Sequence, residues 1–278
     1  MQFTSGQRQR IRELDIFGEY GELLEGNFNS LEEREKKFKD LENELADKNQ
    51  EQLKELTGQK FKSDVRIYED KLRKILNQEN FTEVMTPIRL ARGKLERMGI
   101  TSGDPLWQQI YWLQGGDYCL RPMHAPNLYE ILSRFEKNLE KPVRIFEVGS
   151  CFRKESSGSQ HLSEFTMLNL VELGPVNEPI SRLEEIVELI MDGMEIDYQM
   201  IGEKSSVYGE TVDVMVNDIE IGSGAVGPHE LDKAWDIKDS WAGIGIGLER
   251  LIMANKGIAS ISRVGRSLIY QDGARLNI

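Results

Sequence analysis

The stretch Ile145–Leu173 limits the folds open to this chain more than any other. An apolar run, Val143–Val148, leads into a polar loop with Arg153, Lys154, Glu155 and His161, and a second apolar run, Phe165–Leu173, returns from it. Apolar runs of strand length on either side of a charged loop read as a β-hairpin. Alternate strand residues share a face, so such a hairpin sets charges at the mouth of a sheet and lines that sheet with every second residue. Arginine with a glutamate two positions on suits an anionic ligand that also offers hydrogen-bond donors, such as a nucleotide. A surface hairpin with a solvated tip accounts for the same residues. The rest of the chain has to separate the two readings.

At 278 residues, the chain can form one large domain or one domain with a small appendage. Its 39% hydrophobic and 29% charged residues are those of a globular protein. No apolar run approaches the roughly 20 residues needed to span a bilayer, and the first residues lack the apolar core of a signal peptide. A cytoplasmic protein with no membrane partner is expected. Cys119 and Cys151 are too few for a disulfide framework. His124, His161 and His229 lack zinc-ligand spacing. A net charge of −12 argues against broad nucleic-acid binding, though a local basic patch can still hold a shaped RNA.

Residues 1–60 read as amphipathic helix. Phe38, Leu41 and Leu45 recur at helical spacing behind an Asn29–Ser30 cap with Glu33 three residues on. Arg8, Arg10 and Arg12, and then Arg34, Lys36, Lys37 and Lys39, form either a solvated face or a phosphate-contacting one. A helix over 63–78 feeds a strand in FTEVMTP, ended by Pro87. A strand is expected at about Gln109–Leu113, a turn at Gly115–Gly116, and a helix from Pro126 with Leu128, Ile131, Leu132 and Phe135 inward. Ile180–Met194 is a strong amphipathic helix. Short strands follow at Ser206–Tyr208, Thr211–Val216, Asp218–Ile221 and Ser223–Val226, spaced for antiparallel pairing. WAGIGIGLERLIM, residues 241–253, is a glycine-rich strand turning into a helix. Helices flanking a mostly antiparallel sheet make an α+β domain.

Gly243, Gly245 and Gly247 are spaced G-x-G-x-G and do not form a dinucleotide loop. Gly222, Gly224 and Gly227 lack the Lys-Ser/Thr of a phosphate-binding loop, and no Ser-His-Asp or Cys-His arrangement has local support. What remains is Arg153 and Arg250, each with an acidic neighbour. Glu220 and Ser223 can act as oxygen ligands for Mg²⁺, and Phe165 can stack on a purine. Fixed cations, a metal bridge and an aromatic platform meet the requirements of nucleotide activation.

FTEVMTP, the FRKE hairpin and GIGLER together resemble the three motifs of class II aminoacyl-tRNA synthetases. LRPMHAPNLY, IFEVGSCFRKES, HLSEFTMLNL, VYGETVDV and Ala225–Pro228 narrow this further. Over nearly the whole chain, from about Phe3, they resemble the catalytic part of the pyrrolysyl-tRNA synthetase family, in the form without a separate N-terminal RNA-binding domain.

The resemblance implies a tRNA-contacting helical segment over 1–60 and a catalytic domain over 61–278. It implies a pyrrolysine-tRNA ligase that makes an aminoacyl adenylate from pyrrolysine and ATP, then passes the amino acid to its cognate tRNA. Arg153 and Arg250 hold the phosphates. Glu155, His161, Leu162 and Ile221 lie along the nucleotide, Phe165 stacks on adenine and Met167 closes the junction. Glu220 and Ser223 hold Mg²⁺. Asn169 meets the amide of the lysine-derived side chain, and Tyr208 reaches over its ring. Met123, His124, Ala125, Leu128, Tyr129, Leu132, Val171, Ala225, Trp241 and Gly243 complete the amino-acid pocket. A homodimer is implied, with the first motif at its interface. His124 departs from the apolar residue expected there and is read as facing outward. A class II synthetase for another large amino acid or a close analogue, and a noncatalytic synthetase-like regulator, are the alternatives.

Overall fold

The computed structural model describes the chain except residues 155–160, 175–177 and 206–207, and except the side chains of 204, 205, 209 and 210. Three helices open it: α1 (Ser5–Leu14), α2 (Gly21–Leu24) and α3 (Leu31–Glu55). Thr4 caps α1 in a reciprocal box with Gln7. At α3 the expected cap forms in a variant of the box: Ser30 accepts from the Glu33 amide at 3.1 Å, while Glu33 accepts from the amide of Asn29, one residue before the cap, at 2.7 Å. The apolar stripes of these helices bury Phe3, Ile11, Leu14, Leu24, Leu41 and Leu45 as a cluster of their own. Buried Asn49 ties the cluster to the chain's end, donating to the Leu14 carbonyl at 2.8 Å and accepting from the Arg275 amide at 2.6 Å.

The second unit begins with α4 (Asp64–Gln78), β1 (Thr82–Glu83), β2 (Arg89–Ala91), α5 (Arg92–Arg97), α6 (Pro105–Gln108), β3 (Tyr118–Leu120) and α7 (Ala125–Asn138). The hairpin follows as β4 (Val143–Phe152) and β5 (Glu164–Leu173), then α8 (Pro179–Met194), β6 (Gln199–Ser205), β7 (Gly209–Val216), β8 (Ile219–Gly227), β9 (Trp241–Gly247) and α9 (Leu248–Lys256). A short β10–β11 ribbon, Tyr270–Gln271 with Ala274–Arg275, ends the chain. Seven strands form one sheet in the order β1-β4-β5-β9-β8-β7-β6, and β1 alone runs parallel to its neighbour.

Both faces of the sheet are buried, for different ends. On one, α4, α8 and α9 pack Leu72, Leu76, Leu183, Ile190 and Ile252 against Leu168, Leu170, Ile244 and Ile246. On the other, α7 and the turn after β8 pack Leu128, Tyr129, Leu132 and Trp235 against Ile145, Val171 and Trp241. This second face is incompletely filled, and the cavity described below lies there.

Four expectations need correction. Gln109–Leu113 is not a strand; it makes a single bridge, Trp112 to Cys119. The indoles of Trp107 and Trp112 pack at 4.6 Å with the Arg92 guanidinium against both, and this cluster replaces a ladder. The strand expected to reach Pro87 is only β1, because the chain turns at Thr86 to hydrogen-bond buried Glu147. Tyr208 lies in a turn, and residues 206–207 fall outside the described part. Asp218 belongs with Asn217 to a tight turn with positive φ at both, while 219–227 is one strand.

Candidate active site

The unfilled face encloses a cavity of about 410 Å³. Strand alternation builds its floor. Phe165, Met167, Asn169 and Val171 on β5 all line it, while Thr166 and Leu168 are buried away from it and Leu170, buried as well, still reaches its lining. Next in the sheet, Gly247, Gly245 and Gly243 stand opposite Met167, Asn169 and Val171. The glycine run is thus a floor and not a phosphate loop. A Cβ at Gly245 would meet Asn169 Nδ2 at 2.7 Å and Met167 Cε at 3.1 Å, so only hydrogen leaves the room these side chains occupy.

Glu220 and Ser223 are three apart on β8 and on a regular strand would face opposite ways. The register slips between Val214 and Met215, whose partners are Gly222 and Glu220. This bulge gives β8 one extra residue, Ile221, and returns Glu220, Ser223 and Ala225 to the cavity side. The Glu220 carboxylate is half exposed, with Arg250 at 3.7 Å. Among the described residues no group of three or more His, Cys, Asp or Glu could hold a metal by itself. A metal at Glu220 and Ser223 would therefore need oxygens from the ligand.

Both arginines are anchored before any ligand arrives. Arg153 donates from Nε to the Pro122 carbonyl at 3.0 Å, and its guanidinium carbon lies 5.3 Å from the Phe165 ring centre. Arg250, in the first turn of α9, donates to the Glu220 carbonyl at 3.0 Å. With His161, Leu162 and Ile221, they form the charged end of the cavity. Beside them Glu249 accepts from the Thr166 amide at 2.9 and 2.8 Å, and burial holds its carboxyl above the usual range.

The other end is apolar. Met123, Ala125, Leu128, Tyr129 and Leu132 come from α7 and the residues before it, with Tyr208 and Trp241 opposite. Tyr208 packs edge-on to Trp241 at 6.0 Å and to His229 at 6.1 Å. Asp232 holds this wall from behind, accepting from the Tyr129 hydroxyl at 3.0 Å and the Trp241 indole at 2.9 Å. Burial raises both the Tyr129 and Tyr208 phenols.

Of the candidates named from sequence, the cavity gathers all but two. Glu155 lies outside the described residues. His124 does not face outward: it is fully buried behind Asn169, with Nδ1 3.3 Å from Asn169 Oδ1. Sequence reading missed Thr211, Glu249 and Asp232, and also the buried Arg121–Glu147 pair at 2.6 Å that ties Thr86 to the hairpin. Asp232 could have been suspected as the third residue of the His229 cap. Glu147, inside an apolar run, was the signal for a buried partner.

Residues 48–273 match the family described as tRNA synthetases class II core domain (F). The pyrrolysyl-tRNA synthetase of Desulfitobacterium hafniense superposes with a TM-score of 0.90 at 44% identity, covering 100% of this chain and 99% of that one. A second structure from that organism, of PylSc, gives 0.89 at 44% identity, covering 100% and 98%. Among curated proteins, the histidine–tRNA ligase of Methanocaldococcus jannaschii is 29% identical over 133 residues, 46% of this chain and 30% of that enzyme. The threonine–tRNA ligase of Treponema pallidum is 32% identical over 93 residues, 32% of this chain and 15% of that enzyme. The chain thus spans under a third of the curated relatives it matches.

Proposed function

The chain belongs to the class II aminoacyl-tRNA synthetases, within the pyrrolysyl-tRNA synthetase family, and from that premise we propose that it activates pyrrolysine with ATP and charges the cognate tRNA. One observation carries this reading: a single cavity joins an arginine-bearing end to a long apolar sleeve with one polar anchor, Asn169, at the junction. A nucleotide suits the first part and a long, uncharged side chain the second.

The reading calls for no covalent nucleophile. Catalysis rests on positioning the amino-acid carboxylate for in-line attack on the α-phosphate and on stabilising the charge that develops there. Arg153 is assigned to the α-phosphate and Arg250 to the distal phosphates, since a guanidinium stays charged and binds two oxygens at once. Phe165 supports adenine, with His161 and Leu162 along the nucleotide. Glu220 and Ser223 are assigned to Mg²⁺; their oxygens suit the ion, and the reading is supported by both residues lining the cavity that Arg250 also lines. When bound there, the ion neutralises triphosphate charge. Asn169 meets the substrate amide, and Tyr208 and Trp241 close over the far end.

The RNA-contacting face is assigned to the segment 1–60, with residues 61–278 as the catalytic domain. Arg8, Arg12, Lys36, Lys37 and Lys39 are candidates for phosphate contacts. Arg10 and Arg34 already pair with Glu42 and Glu35 at 2.8 and 2.5 Å. A homodimer is assigned to the surface around β1 and β2, where Met85 and Ile88 are exposed. Cytoplasmic action accords with the reading; among the described residues, no helix is long and apolar enough to cross a membrane.

Amino-acid-dependent ATP–pyrophosphate exchange tests the reading. Exchange is expected with pyrrolysine and not with lysine or phenylalanine. Exchange only with another amino acid, or none at all, would overturn it.

A further inference from the structure

We propose that His124 is a positioning residue for substrate choice: its Nδ1–H holds Asn169 Oδ1, so that Asn169 offers the cavity only N–H donors and selects side chains bearing a carbonyl acceptor. The inference rests on the proposed amino-acid site and deepens it.

Asn169 has two faces of opposite chemistry, a carbonyl acceptor and an amide donor, and an unrestrained side chain can present either. Which one the substrate meets depends on what grips the other. Asn169 Oδ1 is gripped by His124, at 3.3 Å from Nδ1. Its Nδ2 extends over Gly245 on the cavity floor, 3.5 Å from the Ile244 carbonyl. The grip works in this sense only if Nδ1 carries the ring proton.

Three observations place the proton there. His124 is 0% exposed, and burial pushes its pKa down to about 4, so the ring is neutral and holds a single N–H. Among the described residues its Nε2 is buried without a hydrogen-bond partner, so a proton on that nitrogen would go unsatisfied and leave two lone pairs facing each other at Asn169. The charged groups facing the ring are Arg121 and Glu147. A Cβ at Gly149 would stand 3.4 Å from His124 Nε2 while colliding with the Arg121 guanidinium, which places that cation on the Nε2 side. A cation there favours the bare nitrogen. Arg121 is itself fixed, donating to the Ser150 carbonyl at 2.8 Å and to Glu147 at 2.6 Å.

Two measurements test this. Nitrogen-15 NMR of histidine-labelled, ligand-free protein should show His124 as the Nδ1–H tautomer near neutral pH. An Nε2–H tautomer or a cationic ring would overturn the proposal. In pyrophosphate exchange, substrate choice is compared between an Nε-acyl-lysine and the matching 6-alkoxy-norleucine ether, which lacks the carbonyl. His124→Leu should lower the preference for the amide about ten-fold, through KM for the amino acid, with KM for ATP unchanged. His124→Asn, which keeps a donor, should recover part of the preference. An unchanged preference in His124→Leu, or equal loss in both variants, would overturn the assignment. Should the wild-type protein activate no amide substrate, the ligase reading fails, while the tautomer in the ligand-free protein still decides the role of His124.

Discussion

Single side chains in this protein act through what holds them. Arg153 is held by the Pro122 carbonyl and lies beside Phe165, so its guanidinium is pre-aimed at the charged end of the cavity. Arg153→Ala should reduce adenylate formation by about 10²–10³-fold, in line with loss of a preorganised charge, while leaving the thermal midpoint nearly unchanged. Exchange kinetics and a melting curve check both halves. Asn169→Ala should narrow the preference for amide-bearing over aromatic side chains, because a buried amide left unpaired costs about 1–3 kcal/mol; competition between the two substrate kinds measures it. Most of these candidates were legible in the sequence, since they sit in short motifs. His124 was not read correctly. Whether a histidine in a helix cap points outward or inward depends on Asn169, 45 residues away.

Elements explain why the motifs converge. The spacing of the β9 glycines rules out a dinucleotide loop but leaves them without a role. Paired with β5, they become the floor under Met167, Asn169 and Val171. Gly245→Ala should raise KM for the amino acid at least ten-fold by displacing the Asn169 amide, whose Nδ2 lies 2.7 Å from the added carbon. The affinity for ATP, measured separately, should change far less. The bulge in β8 is the complementary case. Glu220 and Ser223 were identified as a pair, but their spacing contradicts strand alternation, and the sequence carries no mark of the extra residue at Ile221. The hairpin strands were read correctly in place and too short in length. Apolar residues end at Val148, while β4 runs to Phe152 through Gly149 and Ser150, which are carried by pairing with Met167 and Thr166.

At the scale of the molecule, the sheet is buried twice, by α4, α8 and α9 on one face and by α7 and the apolar wall of the cavity on the other. Met85 is 94% exposed beside the short edge strand β1, an unfavourable place for a large apolar side chain in a monomer. If the proposed dimer forms there, Met85→Asp should shift the protein to monomer in analytical ultracentrifugation and lower activity with it; an unchanged dimer would move the interface elsewhere. By itself, the sequence determined most of the helices and strands and named the candidate residues for the chemistry. Capping pairs, hydrophobic period and short motifs are local, and the α+β class follows from their order. Only the tertiary structure decided what those residues face. The partners of Glu147, Asp232, His124 and the β9 glycines come from distant parts of the chain. Such partners matter because leaving a buried polar group unpaired costs about 1–3 kcal/mol, as much as a local preference supplies.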